Sequence, residues 1–202
     1  MAADAPEVVL ASGSAARAEM LGRAGLVVRR HPAAVDEAEI KASCRAAGME
    51  AGEVAEALAE LKAMRVSPRY PGALVIGADQ MLDCEGRWFD KPEDPDAARA
   101  QLAALSGRTH RLVTCAVVVR DGQRLWHHLD AAELTMRTLS PGFVDRYLAE
   151  AGEAVLTTVG AYQLEGLGAQ LFSRVRGDFF TILGLPLLPL LGFLRVHGAV
   201  PS

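Results

Sequence analysis

Residues 8–21 constrain the fold most strongly, because a short apolar run leads there directly into a helix-forming stretch. The run at residues 8–12 ends in small polar side chains, a pattern typical of a buried strand. Residues 15–24 then predict a helix that turns Met20 and Leu21 inward. A strand joined to a helix by a short polar loop is a unit of layered α/β proteins, so this segment predicts the α/β class.

The rest of the chain alternates between strand and helix patterns around an antiparallel middle. Asp121-Gly122 separates two β-rich segments and is a strong signal for a hairpin turn. Ser140-Pro141 favours a helix start with Ser140 as the N-cap. This order predicts a mixed sheet. The predicted elements are strands at 27–31, 73–81, 110–120 and 123–136, helices at 36–67 with breaks near Gly48 and Gly52, at 92–105, at 141–150 and from Pro186 onward, an irregular stretch at 160–168, and a second hairpin or turn at 177–178.

Composition excludes several classes of protein. Half of the 202 residues are apolar, which is enough for one well-packed domain or for two lobes sharing a core. The net charge of −4 disfavours a general nucleic-acid binder, which would be basic, but it allows a single anionic ligand. The three cysteines, Cys44, Cys84 and Cys115, are isolated. This spacing argues against a disulfide framework and a structural zinc site, and it favours a reducing compartment.

Neither end of the chain predicts an export signal or a membrane anchor. The stretch at residues 1–7 is acidic and lacks an apolar core. The most apolar run, residues 182–194, is too short to cross a bilayer and contains prolines and glycines, so it predicts a buried final helix. The sequence therefore predicts a cytoplasmic protein without a membrane partner.

The loop Ser12-Gly13-Ser14, between the first strand and its helix, is a candidate phosphate site. A helix N-terminus offers free N–H groups and a positive dipole end, and both suit phosphate. Arg17, one turn into the helix, is placed to bind phosphate oxygens. Taken alone, Ser14 is more simply explained as a helix N-cap. The loop also lacks the GK[ST] of a Walker A motif.

Carboxylates follow two of the predicted strands. Asp36 and Glu37 lie after the second strand, and Asp79 lies near the C-terminal end of the strand at 73–81. Strand C-termini are where open α/β sheets place ligand chemistry, and carboxylates supply a base for an attacking water and oxygen ligands for Mg²⁺. A buried carboxylate is costly unless it is paired, so Asp79 is the strongest catalytic candidate. Asp36 is as well explained as a helix N-cap.

Lys62 and Lys91 are isolated cations beside apolar runs. Lys91 precedes Pro92, which restricts its backbone to an extended geometry. Either lysine is suited to neutralise a triphosphate. Each is also explained as a surface lysine whose stem packs on apolar neighbours while its ammonium group stays in water.

A glycine-bounded loop at residues 160–166 is a candidate for base recognition. Tyr162 is able to stack on a base or to pack within the turn, and Gln163 or Glu165 to bind the edge of a base. His110 is a further candidate base, although a lone histidine entering a strand is more often structural.

Together, and in this order, the motifs resemble the Maf family of nucleotide pyrophosphatases. The resemblance spans nearly the whole chain, and its specificity lies in the joint match and not in any single motif. The matching segments are LASGSAARAEML (10–21), VDE (35–37), LAELKA (58–63), IGADQ (76–80), DKP (90–92), LSGRTH (105–110), GAYQLEG (160–166), GD (177–178) and GLPL (184–187).

The resemblance implies an elongated, mixed, twisted sheet flanked by helices, with two lobes and a central cleft, similar to the inosine-triphosphate pyrophosphatases. Residues 1–202 are then one Maf-like pyrophosphatase domain. Its expected reaction is hydrolysis of a standard or modified nucleoside triphosphate, between the α and β phosphates, to the monophosphate and pyrophosphate. The resemblance also implies a divalent cation, Mg²⁺ or Mn²⁺, a cytoplasmic location and a homodimer, with no nucleic acid as partner.

The family's catalytic base falls on Asp79, and the resemblance adds Glu37 as a second catalytic carboxylate. Both are also expected to be metal ligands, and which of them acts as base stays open. The substrate-binding residues that the resemblance implies are Ser12, Ser14, Arg17, Lys62, Lys91, Gln80 and Gln163.

Departures from the family pattern leave the substrate open. Residues 15–16, Ala-Ala, replace the Pro-Arg that the family usually carries, so Arg17 is the only arginine of this loop. Gln80 stands where members acting on thymidine and uridine triphosphates usually have threonine, as in the branch acting on 7-methylguanosine triphosphate. Residues 160–162, Gly-Ala-Tyr, are instead like those of the pyrimidine branch.

Two other classes of function are alternatives. A nucleotide-binding regulator of cell division would bind nucleotide with little or no turnover, but Glu37 and Asp79 argue against it, because a pure binder needs no carboxylate pair beside phosphate. A single-strand nucleic-acid binder is disfavoured by the acidic balance and by an aromatic content of only 5%.

Overall fold

A computed structural model of the chain describes residues 5–201. Residues 1–4 and 202, which belong to the predicted domain and in part to the acidic N-terminal stretch, lie outside the described residues. The described strands are β1 (Val8–Leu10), β2 (Val28–Arg30), β3 (Leu74–Cys84), β4 (Arg87–Phe89), β5 (Thr109–Arg120), β6 (Gln123–Met136) and β7 (Phe172–Arg176). The described α-helices are α1 (Ala15–Arg23), α2 (Glu37–Ala46), α3 (Ala51–Val66), α4 (Pro95–Leu105), α5 (Pro141–Ala151), α6 (Phe179–Ile182) and α7 (Leu187–Val196). Short 3-10 helices cover Ser67–Arg69, Gly152–Thr157, Val159–Ala161 and Leu167–Leu171.

The seven described strands form one mixed sheet. Its order is β2-β1-β3-β5-β6-β7, and β4 pairs with β3 off this path. β1 is parallel to β2 and β3, whereas β4 is antiparallel to β3 and β7 is antiparallel to β6. The predicted hairpin between β5 and β6 is confirmed, with positive φ angles of 50° at Asp121 and 75° at Gly122. The predicted α/β class is therefore confirmed, while the cleft and the likeness to inosine-triphosphate pyrophosphatases stay predictions.

The described chain divides into two compact units. The first contains residues 5–80, 114–130 and 184–201, and the second contains residues 81–113 and 131–183. Each unit buries its own set of large aliphatic side chains. In the first unit the fully buried ones include Leu10, Leu21, Leu58, Leu74 and Ile76. In the second they include Leu82, Leu102, Leu105, Leu134 and Met136.

Side-chain N-caps confirm several predicted helix starts. In each case the side-chain oxygen of the cap accepts a hydrogen bond from the backbone N–H three residues later, which satisfies a donor that the helix leaves unpaired. These caps are Ser14 for α1, Asp36 for α2 and Ser140 for α5. Local sequence thus determined where these helices begin.

The final helix, α7, is packed as predicted, with buried leucines along one side at Leu187, Leu190 and Leu194. It begins one residue after Pro186, which occupies the N-cap position. Within residues 5–201, no helix combines the length and the apolar character needed to span a bilayer.

One detail of the strand predictions is wrong. The strand predicted at 73–81 continues to Cys84, so Asp79 lies in the middle of β3 and not near its C-terminal end. The extension forms because β4 pairs back onto it through a turn at Glu85 and Gly86, both with positive φ angles. Glutamate is unusual in such a turn, so the hairpin had no clear local signal. Of the hairpin or turn predicted at residues 177–178, the described chain forms no hairpin but bends at Gly177, and Asp178 then caps α6.

Candidate active site

Lys62 joins two carboxylates in the first unit. Its Nζ atom lies 2.6 Å from Oδ1 of Asp79 and 2.6 Å from Oε1 of Glu37. The side chains of Lys62 and Asp79 are 8% and 6% exposed, whereas that of Glu37 is 45% exposed. One ammonium group therefore pairs with two carboxylates. We call Lys62, Glu37 and Asp79 the Lys62 cluster, and its net charge is negative.

Asp79 keeps one carboxylate oxygen without a protein partner. Oδ1 accepts a hydrogen bond from Lys62, but Oδ2 is buried and accepts none from the described residues. An unsatisfied buried acceptor costs about 1–3 kcal/mol, and more when it is charged. A free oxygen of this kind is suited to a ligand, a metal ion or an attacking water.

The pKa of Glu37 is lowered although the residue is partly buried. Burial is the largest single influence and acts to raise this pKa, but Lys62, and to a lesser extent Lys41 and Arg17, outweigh it. Glu37 is therefore ionised near neutral pH. An ionised, half-exposed carboxylate beside a buried one is a suitable pair for a divalent cation.

Three elements bring the cluster together. Glu37 is the first residue of α2, Lys62 lies in the last turns of α3, and Asp79 lies on β3. β1 pairs with β3 only as far as the register Leu10 with Ile76. Asp79 thus lies beyond the C-terminal end of the parallel pairing, the position where open α/β sheets place ligand chemistry, although the strand itself continues.

Gly77 allows α3 to approach β3 closely enough for these contacts. A methyl group at position 77 would overlap the carbonyl oxygen of Ala59 and lie 2.9 Å from the backbone nitrogen of Ala63. Gly77 and Asp79 lie on the same face of β3, because strand side chains alternate. The absent side chain at 77 is therefore what lets Lys62 reach Asp79.

Arg17 links the loop that precedes α1 to β3 through hydrogen bonds. Its guanidinium is buried, with the whole residue 8% exposed. Nη1 donates to Oγ of Ser12 at 3.0 Å and to the carbonyl oxygen of Ala78 at 2.9 Å, and Nε donates to the carbonyl oxygen of Gly184 at 2.7 Å. Burial lowers the pKa of Arg17, and the charges of Asp79 and Glu37 act in the opposite direction. Arg17 thus fixes the loop against the strand that carries Asp79.

The two loop serines make local hydrogen bonds. Oγ of Ser12 accepts from the backbone N–H of Ser14 at 3.2 Å, in addition to its bond with Arg17. Oγ of Ser14 accepts from the backbone N–H of Arg17 at 3.4 Å, which is the N-cap contact. The cap interpretation of Ser14 is confirmed, and phosphate binding by Ser12, Ser14 and Arg17 stays a prediction.

Gly184 is a site residue that sequence reasoning did not single out. Its φ angle is +99°, a conformation that L side chains rarely adopt, and a methyl group there would lie 3.4 Å from Nε of Arg17. Its carbonyl oxygen holds the buried guanidinium. The available signal is the glycine that begins GLPL (184–187), a segment that the sequence identifies only through the family resemblance.

Gln80 points away from the Lys62 cluster. Successive residues of a strand face opposite sides of the sheet, so Gln80 lies on the other face from Asp79. Its Nε2 atom donates to Oγ1 of Thr114 at 2.9 Å, and Thr114 on β5 is fully buried. Contact between Gln80 and a substrate stays a prediction.

Lys91 and Gln163 belong to the second unit. Lys91 is exposed on the segment between β4 and α4. Gln163 is half-buried and lines, with Tyr147 and Glu150, a cavity of about 190 Å³ within that unit. Their participation in substrate binding stays a prediction.

Tyr162 and His110 are packed against each other in the second unit. Oη of Tyr162 lies 2.7 Å from Nε2 of His110, and the Tyr162 ring meets the Phe172 ring at a centroid distance of 4.8 Å in an edge-on arrangement. The two residues are 4% and 1% exposed. Burial lowers the pKa of His110 to about 4, so its ring is neutral at physiological pH. The structural interpretation of both residues is confirmed.

The donor set of the first unit suits a hard divalent cation. Among residues 5–201, no group of three or more His, Cys, Asp or Glu side chains is arranged to hold a metal. Glu37 and Asp79 nevertheless offer two carboxylates, one with a buried free oxygen, within a cluster of net negative charge. Mg²⁺ is commonly held by one or two carboxylates together with waters and substrate phosphates, so these residues fit such an ion.

Comparison with known proteins gives a consistent result. Residues 7–197 match the family described as "Maf-like protein". A protein of Paramagnetospirillum magneticum named "Nucleoside triphosphate pyrophosphatase" is 64% identical over 190 residues, covering 94% of this chain and 98% of that protein. One of Granulibacter bethesdensis with the same name is 56% identical, over 96% of this chain and 98% of that protein. One of Mesorhizobium japonicum named "7-methyl-GTP pyrophosphatase" is 53% identical over the same shares.

Proposed function

Because this chain belongs to the Maf-like protein family, we propose that it hydrolyses a nucleoside triphosphate to the monophosphate and pyrophosphate. The enzyme is then a hydrolase acting on an acid anhydride, as are relatives that share more than half of its residues over nearly their full length. The reaction places water on the α-phosphorus and releases pyrophosphate as the leaving group.

The observation that carries the proposal is the Lys62 cluster with the free Oδ2 of Asp79. Placing two carboxylates in a half-buried to buried site, with one oxygen unpaired, is unfavourable for folding alone. Hydrolysis of a phosphate anhydride needs such groups, because an attacking water must be oriented and must lose a proton. A binder without turnover has no use for them.

Asp79 is the proposed base. Oδ1 is held by Lys62 at 2.6 Å, which fixes the carboxylate orientation and leaves Oδ2 to accept a hydrogen bond from the attacking water. As the water attacks, its proton moves to Oδ2. Lys62 offsets the negative charge of both carboxylates and so keeps Asp79 and Glu37 compatible with an anionic substrate.

Glu37 and Asp79 are the residues that would hold Mg²⁺ or Mn²⁺. When bound, such an ion offsets phosphate charge and lowers the pKa of a coordinated water. The protein's own contribution is to keep Glu37 ionised, through Lys62, and to keep an Asp79 oxygen free of protein donors. Ser12, Ser14 and Arg17 are proposed to bind the phosphates at the start of α1, where backbone N–H groups favour anions.

The substitution Asp79→Asn tests the base. It preserves shape but cannot accept the proton, so we expect pyrophosphate release to fall about 10²–10⁴-fold, the usual contribution of a general base. The assay uses Mg²⁺ or Mn²⁺ and a panel of standard and modified triphosphates, 7-methylguanosine triphosphate among them, with monophosphate and pyrophosphate measured separately. The panel identifies the substrate. The names of the relatives differ on this point, since one is named for nucleoside triphosphates in general and another for 7-methyl-GTP.

Asp83→Asn is the matched control. Asp83 also lies on β3 and also has a buried carboxylate oxygen without a partner among the described residues, but it has no salt bridge to Lys62. We expect its activity within about threefold of wild type.

Activity of the Asp79→Asn protein within threefold of wild type would remove Asp79 from the mechanism. Orthophosphate as the first product would refute the cleavage position, and full activity in a chelator would refute the cation.

A further inference from the structure

The charged groups of the first unit's site leave little positive charge for a triphosphate. The charges of Arg17 and Lys62 are balanced by those of Glu37 and Asp79, and the additional cation near Glu37 is Lys41. A triphosphate carries several negative charges near neutral pH, and enzymes that act on one combine a metal with fixed cations. A further cation at the phosphate-binding loop would therefore strengthen binding.

The loop sequence itself does not supply one. Arg17 is its only arginine, since residues 15–16 are alanines. The Arg17 guanidinium is buried and donates three hydrogen bonds to protein oxygens, on Ser12, Ala78 and Gly184. Most of its hydrogen-bonding capacity is thus used within the protein, where it holds the loop in place.

The fold brings a second guanidinium to this loop from the edge strand β2. In the parallel pairing of β1 with β2, Arg30 lies opposite Leu10, and the chain passes from Leu10 into the loop at residues 12–14. Nη2 of Arg30 donates to the carbonyl oxygen of Gly13 at 3.1 Å. This is the one hydrogen bond that the described structure gives the exposed Arg30 side chain. Since a guanidinium has five N–H donors, most of them remain for a ligand.

We propose that Arg30 binds the phosphates of the nucleotide at the loop of residues 12–14. It supplies from a neighbouring strand the exposed guanidinium that residues 15–16 do not provide. The inference rests on the proposed function, which makes a triphosphate the ligand. Arginine suits this role because its planar fork binds phosphate oxygens in pairs.

Arg29 provides a matched control from the same strand. Neighbouring strand residues point to opposite faces, so Arg29 and Arg30 face different sides of the sheet. Nε of Arg29 binds Oε1 of Glu7 at 2.6 Å, and its guanidinium lies 5.7 Å from the centre of the Tyr70 ring. The two arginines have the same charge and adjacent positions, but only Arg30 contacts the loop.

The experiment compares Arg30→Gln with Arg29→Gln. For Arg30→Gln we expect the KM of the preferred triphosphate to rise about tenfold, the effect of losing one charge-assisted contact, with kcat within about twofold of wild type. The dissociation constant of inorganic pyrophosphate, measured by calorimetry, should rise by a similar factor. For Arg29→Gln we expect both constants within about twofold of wild type. Both side chains are exposed, so we expect both variants to have the same thermal unfolding midpoint as wild type.

Three outcomes would overturn the proposal. The first is an Arg30→Gln protein within twofold of wild type in both constants. The second is an equal loss in the two variants, which would indicate a dependence on the overall charge of the surface and not on a contact at the loop. The third is a rise in KM with pyrophosphate binding unchanged, which would indicate a contact away from the phosphates. A wild-type protein that releases no pyrophosphate from any triphosphate would refute the proposed function instead. Pyrophosphate binding by the three proteins would then still decide the role of Arg30.

Discussion

The Lys62 cluster of the first unit and the His110–Tyr162 pair of the second are both buried polar groupings. Each leaves one buried atom without a hydrogen-bond partner among the described residues, Oδ2 of Asp79 in the first and Nδ1 of His110 in the second. They differ in charge. The first contains an ammonium group and two carboxylates, whereas the pKa of His110 is lowered and that of Tyr162 is raised, both by burial, so the pair is neutral.

This difference is the reason for proposing a chemical role for the Lys62 cluster and a packing role for the His110–Tyr162 pair. A neutral pair that shares a 2.7 Å hydrogen bond satisfies most of its polar atoms and costs the fold little. A charged cluster is far more expensive to bury, and replacing it with apolar groups is often neutral or stabilising. The cost of burying the Lys62 cluster therefore supports its proposed role in hydrolysis, whereas the His110–Tyr162 pair is explained by packing within its unit.

The largest effect is expected from breaking the charged cluster with Lys62→Met. Without its ammonium group, Asp79 would be a buried carboxylate with no hydrogen-bonded cation, so we expect the free energy of unfolding to fall by about 3–5 kcal/mol. Pyrophosphate release should fall at least about a hundredfold, because neither carboxylate would be neutralised beside the anionic substrate. Chemical denaturation and the pyrophosphate assay measure the two effects.

The double variant Lys62→Met with Asp79→Asn separates the effects. It removes the unpaired charge along with the cation, so most of the lost stability should return while activity stays absent. A single Lys62→Met protein as stable as wild type would show that the cluster is not the charged, buried unit described above.

The neutral pair predicts a dependence of stability on pH in a defined window. The pKa of His110 falls from 6.5 to about 4 on folding, so between these values the unfolded chain binds a proton that the folded chain does not. The contribution of the neutral ring is fully present above about pH 6.5 and is lost as the pH falls towards 4. We expect a loss of about 3 kcal/mol across this interval, measured by denaturation at a series of pH values.

His110→Gln is the control for this titration, since glutamine keeps a hydrogen-bonding group but does not ionise. Its stability should vary less between pH 6.5 and 4 than that of wild type. Equal slopes for the two proteins would contradict the assignment to His110. Glu37, whose pKa is lowered, loses its own contribution only as the pH falls below the ordinary carboxylate value of 4.5.

The smallest effect is expected from Tyr162→Phe, which removes one hydroxyl from the neutral pair. The lost hydrogen bond leaves Nε2 of His110 buried and unpaired, so the free energy of unfolding should fall by about 1–3 kcal/mol. Unlike Lys62→Met, this change should leave the kcat for pyrophosphate release within about threefold. A loss of kcat comparable to that of Lys62→Met would mean that the neutral pair also takes part in the chemistry.

Sequence reasoning found the parts of the first unit's site that depend on local signals or on the cost of burial. Ser14 and Asp36 follow from cap preferences that need no tertiary contact. A carboxylate in an apolar run requires a partner, which makes Asp79 predictable, and the structure supplies that partner in Lys62. The family resemblance added Glu37, and the structure places it 2.6 Å from the same lysine.

Other parts had no local signal. The β3–β4 turn contains Glu85, a residue that is not typical of hairpin turns. The end of β3 was therefore predicted too early, and Asp79 was wrongly predicted to lie near that end. Gly184 contacts the Arg17 guanidinium, and Arg30 contacts Gly13 of the loop, each from another part of the chain. Their roles depend on strand register and on backbone carbonyl positions, which single-residue preferences do not encode.

The sequence by itself determined the α/β class, several helix starts and the residue types able to act on a phosphate anhydride, because periodicity, capping and burial cost are properties of neighbouring residues. The tertiary structure decided how those residues are used. In the folded protein Arg17 is buried and hydrogen-bonds to the strand that carries Asp79. Gln80 lies on the face of that strand opposite Asp79, and Arg30 contacts the loop at residues 12–14. These outcomes follow from strand pairing and from the close approach of α3 at Gly77, which join segments far apart in the chain.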